Sequence, residues 1–107
     1  MGSFVHLPGK HNTKIQMQLE NRSFGRPPKL GFKVDSEKPI STYVLDGNGI
    51  TAWGNPDGVK IRPYAFGGFT DQTEHEQTVY LPHDGTWYIL MVNWGEEETV
   101  IWYEVYY

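Results

Sequence analysis

A chain of 107 residues can fold as one domain with one modest core and is too short for two. It contains no cysteine, which excludes disulfides, cysteine-based zinc sites and thiol nucleophiles. Its net charge of -4, with scattered basic residues and a loose GRPPK at Gly25–Lys29, argues against a nucleic-acid footprint. No apolar run reaches the roughly 18–20 residues of a membrane helix, and the opening MGSFVHLPGKHN lacks a signal-peptide core. A cytoplasmic protein without membrane contact is expected, with secretion as the alternative.

Short period-2 runs ended by turns recur along the chain, and helical periodicity is absent. FVHL (Phe4–Leu7) reads as a first strand, stopped by PGKHN. TKIQMQLE alternates: Ile15, Met17 and Leu19 point one way, and Lys14, Gln16, Gln18 and Glu20 the other. A proline-bearing turn follows, then KLGFKV alternates through Leu30, Phe32 and Val34, so ENRSFGRPPKLGFKV reads as a hairpin. DSEKP breaks the pattern, and ISTYVLD resumes it. DGNG reads as an Asx-type turn in which Gly47 and Gly49 supply positive φ.

ITAW, VKIRPYAF and QTVYL are three more short strands, with GNPDG and GGFTDQTEHE as loops and Pro63 marking an edge or a bulge. Two long strands close the chain, Thr86–Trp94 and Thr99–Tyr107, joined as a hairpin by GEEE. About eight or nine strands at this spacing predict an all-β, antiparallel, jelly-roll-like sandwich, a single domain over 1–107 with no helix longer than about two turns.

The last two strands are apolar on both faces. Trp87, Ile89 and Met91 oppose Tyr88, Leu90, Val92 and Trp94; Ile101, Tyr103, Val105 and Tyr107 oppose Val100, Trp102, Glu104 and Tyr106. One face of each is core. The second needs a cover: the N-terminal segment, a second subunit or a ligand.

Three stretches, STYVLDGNGITAW (Ser41–Trp53), YAFGGF (Tyr64–Phe69) and VYLPHDGTWYILMVNWG (Val79–Gly95), carry a resemblance. Over about residues 40–107 the chain resembles a bacterial family of short β-sandwich domains, some of them found beside Toll/interleukin-receptor-like signalling domains. The resemblance implies a compact sensing or interaction module and assigns no catalytic residue.

No nucleophile–base–orienter set is recognisable, because His6, His11, His75 and His83 fall in or beside expected turns. In EHE, Glu74 and Glu76 share one side of an extended chain with His75 opposite, the wrong disposition for three ligands on one metal. DGNG lacks the other oxygen ligands of a calcium loop, and GGF lacks the helix of a phosphate cradle. NRS at Asn21–Ser23 matches a glycosylation triplet, meaningful only in a secreted protein. No catalytic residue, metal or cofactor is expected.

Aromatic residues carry the functional signal, because Trp and Tyr offer large rigid faces with a hydrogen-bonding handle. The expected binding residues are Trp53, Tyr64, Phe69, Trp94, Trp102 and Tyr106. They suggest a non-enzymatic module that binds a protein partner or self-associates, with a carbohydrate-binding module as the alternative.

Overall fold

The computed structural model describes residues 2–20, 28–54 and 62–107. Among these residues there are six strands: β1 (Ser3–Leu7), β2 (Asn12–Leu19), β3 (Lys29–Leu45), β4 (Gly67–Tyr80), β5 (Gly85–Val92) and β6 (Thr99–Tyr106). All pairings are antiparallel, in the order β1-β6-β3-β5-β2, with β4 also paired to β3. The fold is all-β, as the alternation predicts. Met17, Leu19, Leu30, Phe32 and Val34 are all buried.

Among the described residues the strand count is six rather than eight or nine, and the reason lies largely in β3. KLGFKV and ISTYVLD are two halves of this one 17-residue strand, and DSEKP is a bend within it. Pairing to β4 shifts register between Asp35 and Ile40, where Pro39 has no N–H to donate. The first half pairs with β6 (Gly31–Ser36 against Tyr106–Ile101), the second with β5 (Ser41–Leu45 against Val92–Tyr88). GGFTDQTEHE is the long first part of β4 rather than a loop. ITAW belongs to a short helix, α1 (Gly47–Trp53), and Arg62–Tyr64 forms a single 3-10 turn. Residues 59–61 of VKIRPYAF lie outside the described residues, as do the glycosylation triplet and Gly25–Pro27 of GRPPK.

Because β3 bends, the sheet curls. Leu7 of β1 and Met17 and Leu19 of β2, from opposite ends of the strand order, meet in one cluster with Phe32, Trp87, Ile89 and Ile101. The expected closing hairpin does not form and β2 does not pair with β3, while residues 21–27 of ENRSFGRPPKLGFKV lie outside the described residues. β5 separates β2 from β3, and β3 separates β5 from β6. The β1–β2 and β5–β6 connections instead cross from one half of the curled sheet to the other.

These two crossings run side by side and are stitched together by Asn93, which is buried. Its side-chain amide donates to the carbonyls of Leu7 (3.1 Å), Pro8 (3.3 Å) and Glu97 (2.8 Å), and its Oδ1 accepts from the Gly95 N–H (3.0 Å). Both ends of the buried amide are therefore satisfied. Gly9 sits so close to the other crossing that a Cβ there would lie 2.1 Å from the Glu96 carbonyl oxygen. Only glycine permits that approach.

Candidate functional site

The second face of β5 has a cover within the chain. Leu90 and Val92, with Tyr43 and Leu45 of β3, form a small apolar cluster on the outside of this half of the sheet. Ile50 and Trp53 of α1, and Ala65 after the 3-10 turn, pack over it. Gly49 makes the fit close: a Cβ there would lie 2.9 Å from Leu45 Cδ2. Its value is small size, not positive φ. Among the described glycines only Gly68 (φ 127°) and Gly85 (φ 133°) have positive φ, so the turn expected at Gly47 and Gly49 is replaced by the start of α1.

Asp46 begins that helix. Its Oδ1 accepts from the Gly49 N–H at 3.1 Å, an N-cap bond that satisfies one of the unpaired donors of the first turn. Oδ2 lies 3.3 Å from His83 Nε2, while His83 Nδ1 lies 2.8 Å from the Asp84 carbonyl oxygen. With an acceptor at each ring nitrogen, the imidazolium is favoured, and the His83 pKa is raised, chiefly by the Asp84 carbonyl and then by the Asp46 carboxylate. The ring stacks on Trp87 at 4.8 Å, and the Trp87 indole N–H donates to the His83 carbonyl at 3.2 Å. A cleft of about 510 Å³ beside this pair is lined by Asn48, Thr51, Tyr64 and Phe66, among others.

Among the described residues, the outer face of the other half has no such cover. Register puts Phe4 opposite Trp102, Trp102 opposite Asp35, and Asp35 opposite Glu74. The next row runs Glu104, Lys33, Glu76, and the one after it Tyr106, Gly31, Thr78, with Lys29 opposite Tyr80 beyond. Phe4 (63%), Trp102 (49%), Tyr106 (53%) and Tyr80 (68%) are all exposed here. Tyr106 lies beside Gly31, where a Cβ would come within 3.4 Å of its ring, and its hydroxyl donates to the Glu104 carboxylate. That bond and the nearby negative charge raise the Tyr106 pKa. β1 runs alongside β6 as its edge neighbour and does not fold over this face.

The six expected binding residues thus fall into separate places. Trp102 and Tyr106 share the uncovered face. Trp53 is half-buried in α1 and meets the exposed Trp94 edge-on at 5.9 Å. Tyr64 lines the cleft by Asp46. Phe69 is not an exposed loop residue: it lies in β4, 7% exposed, stacked on His75 at 4.1 Å. Its burial follows from Gly68, whose positive φ lets β4 run close against Thr42 and turn the next side chain into the core. Phe4 and Tyr80 were missed, though FVHL and QTVYL both alternate and so place one aromatic outward.

Glu74 and Glu76 face outward and His75 inward, as the EHE spacing requires. Among the described residues, no group of three or more His, Asp or Glu is placed to hold a metal ion, and no helix is long and apolar enough to cross a membrane.

No family model and no curated protein matches the chain. Among solved structures, it is similar to the crystal structure of the Yersinia pseudotuberculosis-derived mitogen, at 10% identity and a TM-score of 0.54. The match covers 98% of this chain and 82% of that one. At that identity the likeness is one of fold.

Proposed function

We propose that this protein is a non-enzymatic interaction module, a jelly-roll-like β-sandwich that docks onto a protein surface through the outer face of β1, β6, β3 and β4. The observation that carries the reading is the grouping of Phe4, Trp102, Tyr106 and Tyr80, all exposed, on one side of one sheet half. Exposed aromatic side chains gathered on one sheet face, here interleaved with charged residues, are a feature of interaction sites, and Trp and Tyr are the residues that dominate binding energy at such sites. The sandwich reading is supported by the bend in β3, which gives each half of the curled sheet a share of the same strands.

A photo-crosslinking residue at position 80, compared with one at position 14 on the other half, tests the proposal in cells. Adducts with protein at position 80 only, lost in a Trp102→Ser background, are expected. Equal labelling at both positions would sink the reading. So would glycan-array binding abolished by Trp102→Ser, which would assign the same rings to carbohydrate.

A further inference from the structure

We infer that the occupant of the aromatic face is an arginine- or lysine-bearing segment of another protein, rather than a second copy of this chain. The inference rests on the interaction reading above and adds the chemistry of the partner. Between and beside the exposed rings lie the carboxylates of Asp35, Glu74, Glu76 and Glu104, against the ammonium groups of Lys29 and Lys33. His6, on the same face, is already paired with Glu98 at 3.2 Å. Among the described residues, none of Asp35, Glu74 and Glu76 is in an ion pair.

A two-fold dimer through this face would bring the same acidic excess from both sides, and like charges across an interface oppose association. A basic segment reverses that sign. Its guanidinium groups can pair with the carboxylates and stack on the faces of Trp102 and Tyr106 in the same pose.

The shape of the face agrees with a side-chain anchor. A depression of about 240 Å³ is lined by Phe4, Lys33, Asp35, Trp102 and Glu104, among others. That is below the roughly 300–1,000 Å³ of sites that enclose a whole small molecule. It suits one long side chain, with two carboxylates, one lysine and aromatic carbon in its lining.

The test pans the whole chain against a random linear peptide library and titrates the winners at about 50 mM and about 200 mM salt. Peptides enriched in Arg or Lys are expected, with affinity falling at the higher salt. Reversing two acids together, Asp35→Lys with Glu74→Lys, should weaken them about tenfold, and Trp102→Ser should do the same. Should the reversed pair fail to fold, the neutral pair Asp35→Asn with Glu74→Gln should still weaken binding about threefold.

Winners that need Trp102 but are neutral or acidic overturn the basic-segment inference and leave the interaction reading standing. So do Trp102-dependent winners indifferent to the charge changes. Cationic peptides that bind Trp102→Ser as tightly as the unaltered chain reveal diffuse attraction, which also overturns the inference. If no peptide depends on Trp102, the interaction reading itself falls.

Discussion

β5 and β6 pose the same problem and meet it differently. Each carries apolar side chains on both faces, and each turns one face into the common core through Trp87, Ile89 and Met91 or through Ile101. On the other face, Leu90 and Val92 of β5 disappear beneath α1 and Ala65, whereas Trp102 and Tyr106 of β6 stay in contact with solvent. The residue types differ accordingly. The covered cluster joins aliphatic side chains to Tyr43 and Trp53, and the uncovered face mixes rings with charges, a composition suited to contact that forms and breaks in water. An apolar second face is therefore not by itself a binding surface; what matters is whether the chain supplies its own lid.

The sharpest way to break this comparison is to truncate one side chain from each face. Leu90→Ala should cost about 2–5 kcal/mol, because it opens a cavity under α1 that the helix cannot fully close. In a domain of this size that approaches the whole stability and should appear as a large drop in Tm. An unaltered Tm would mean that α1 does not cover β5.

A smaller loss is expected from Asp46→Ala, about 0.5–2 kcal/mol, because the N-cap of α1 and the contact with His83 go together. Chemical denaturation of this variant measures the lid's attachment without touching the apolar cluster. A ΔG equal to that of the unaltered protein would remove the N-cap from the account of the lid.

His83 sharpens the picture through pH. Its folded pKa is raised above the ordinary value of 6.5, so its stabilising contribution is full below pH 6.5 and is lost as pH rises through the folded value. Melting curves from about pH 6 to about pH 8.5 should show stability declining more in the unaltered protein than in His83→Gln. Identical slopes would mean that the latch between His83 and Asp46 carries no weight in solution.

The smallest effect on stability belongs to the uncovered face. Trp102→Ser should change ΔG by less than about 1 kcal/mol, the scale of a single cross-strand pair such as Phe4–Trp102. Unfolding of this variant would show Trp102 to be core and would equate the two faces after all.

Period-2 alternation made β2 and the first half of β3 legible, because a strand with one wet face writes its orientation in every second residue. The faces of β5 and β6 were legible on the same grounds. Their pairing was not. GEEE has the composition of a hairpin tip, and nothing local to it records that β3, more than fifty residues earlier, lies between the two strands. α1 escaped notice because its 7 residues span too few turns to show a 3.6-residue period, and its glycines disfavour a helix. Asp46 was the available signal, a capping residue just ahead of ITAW. Of the site, Trp102 and Tyr106 could be read from alternation. Phe69 could not, since its burial depends on the backbone angle of Gly68 and on the closeness of Thr42.

The order of strands has a consequence for how the chain comes off the ribosome. β1 waits for β6, β2 waits for β5, and β3 pairs only with β4, β5 and β6. A nascent chain that has reached Gly54 therefore holds three complete strands and not one native partner for any of them. The first pairing open to it is β3 with β4, across the α1 segment, and the last is β6 sliding between β1 and β3. Such a chain spends much of its synthesis with apolar strand faces unmatched, and its sheet closes only once the C-terminal strand is available.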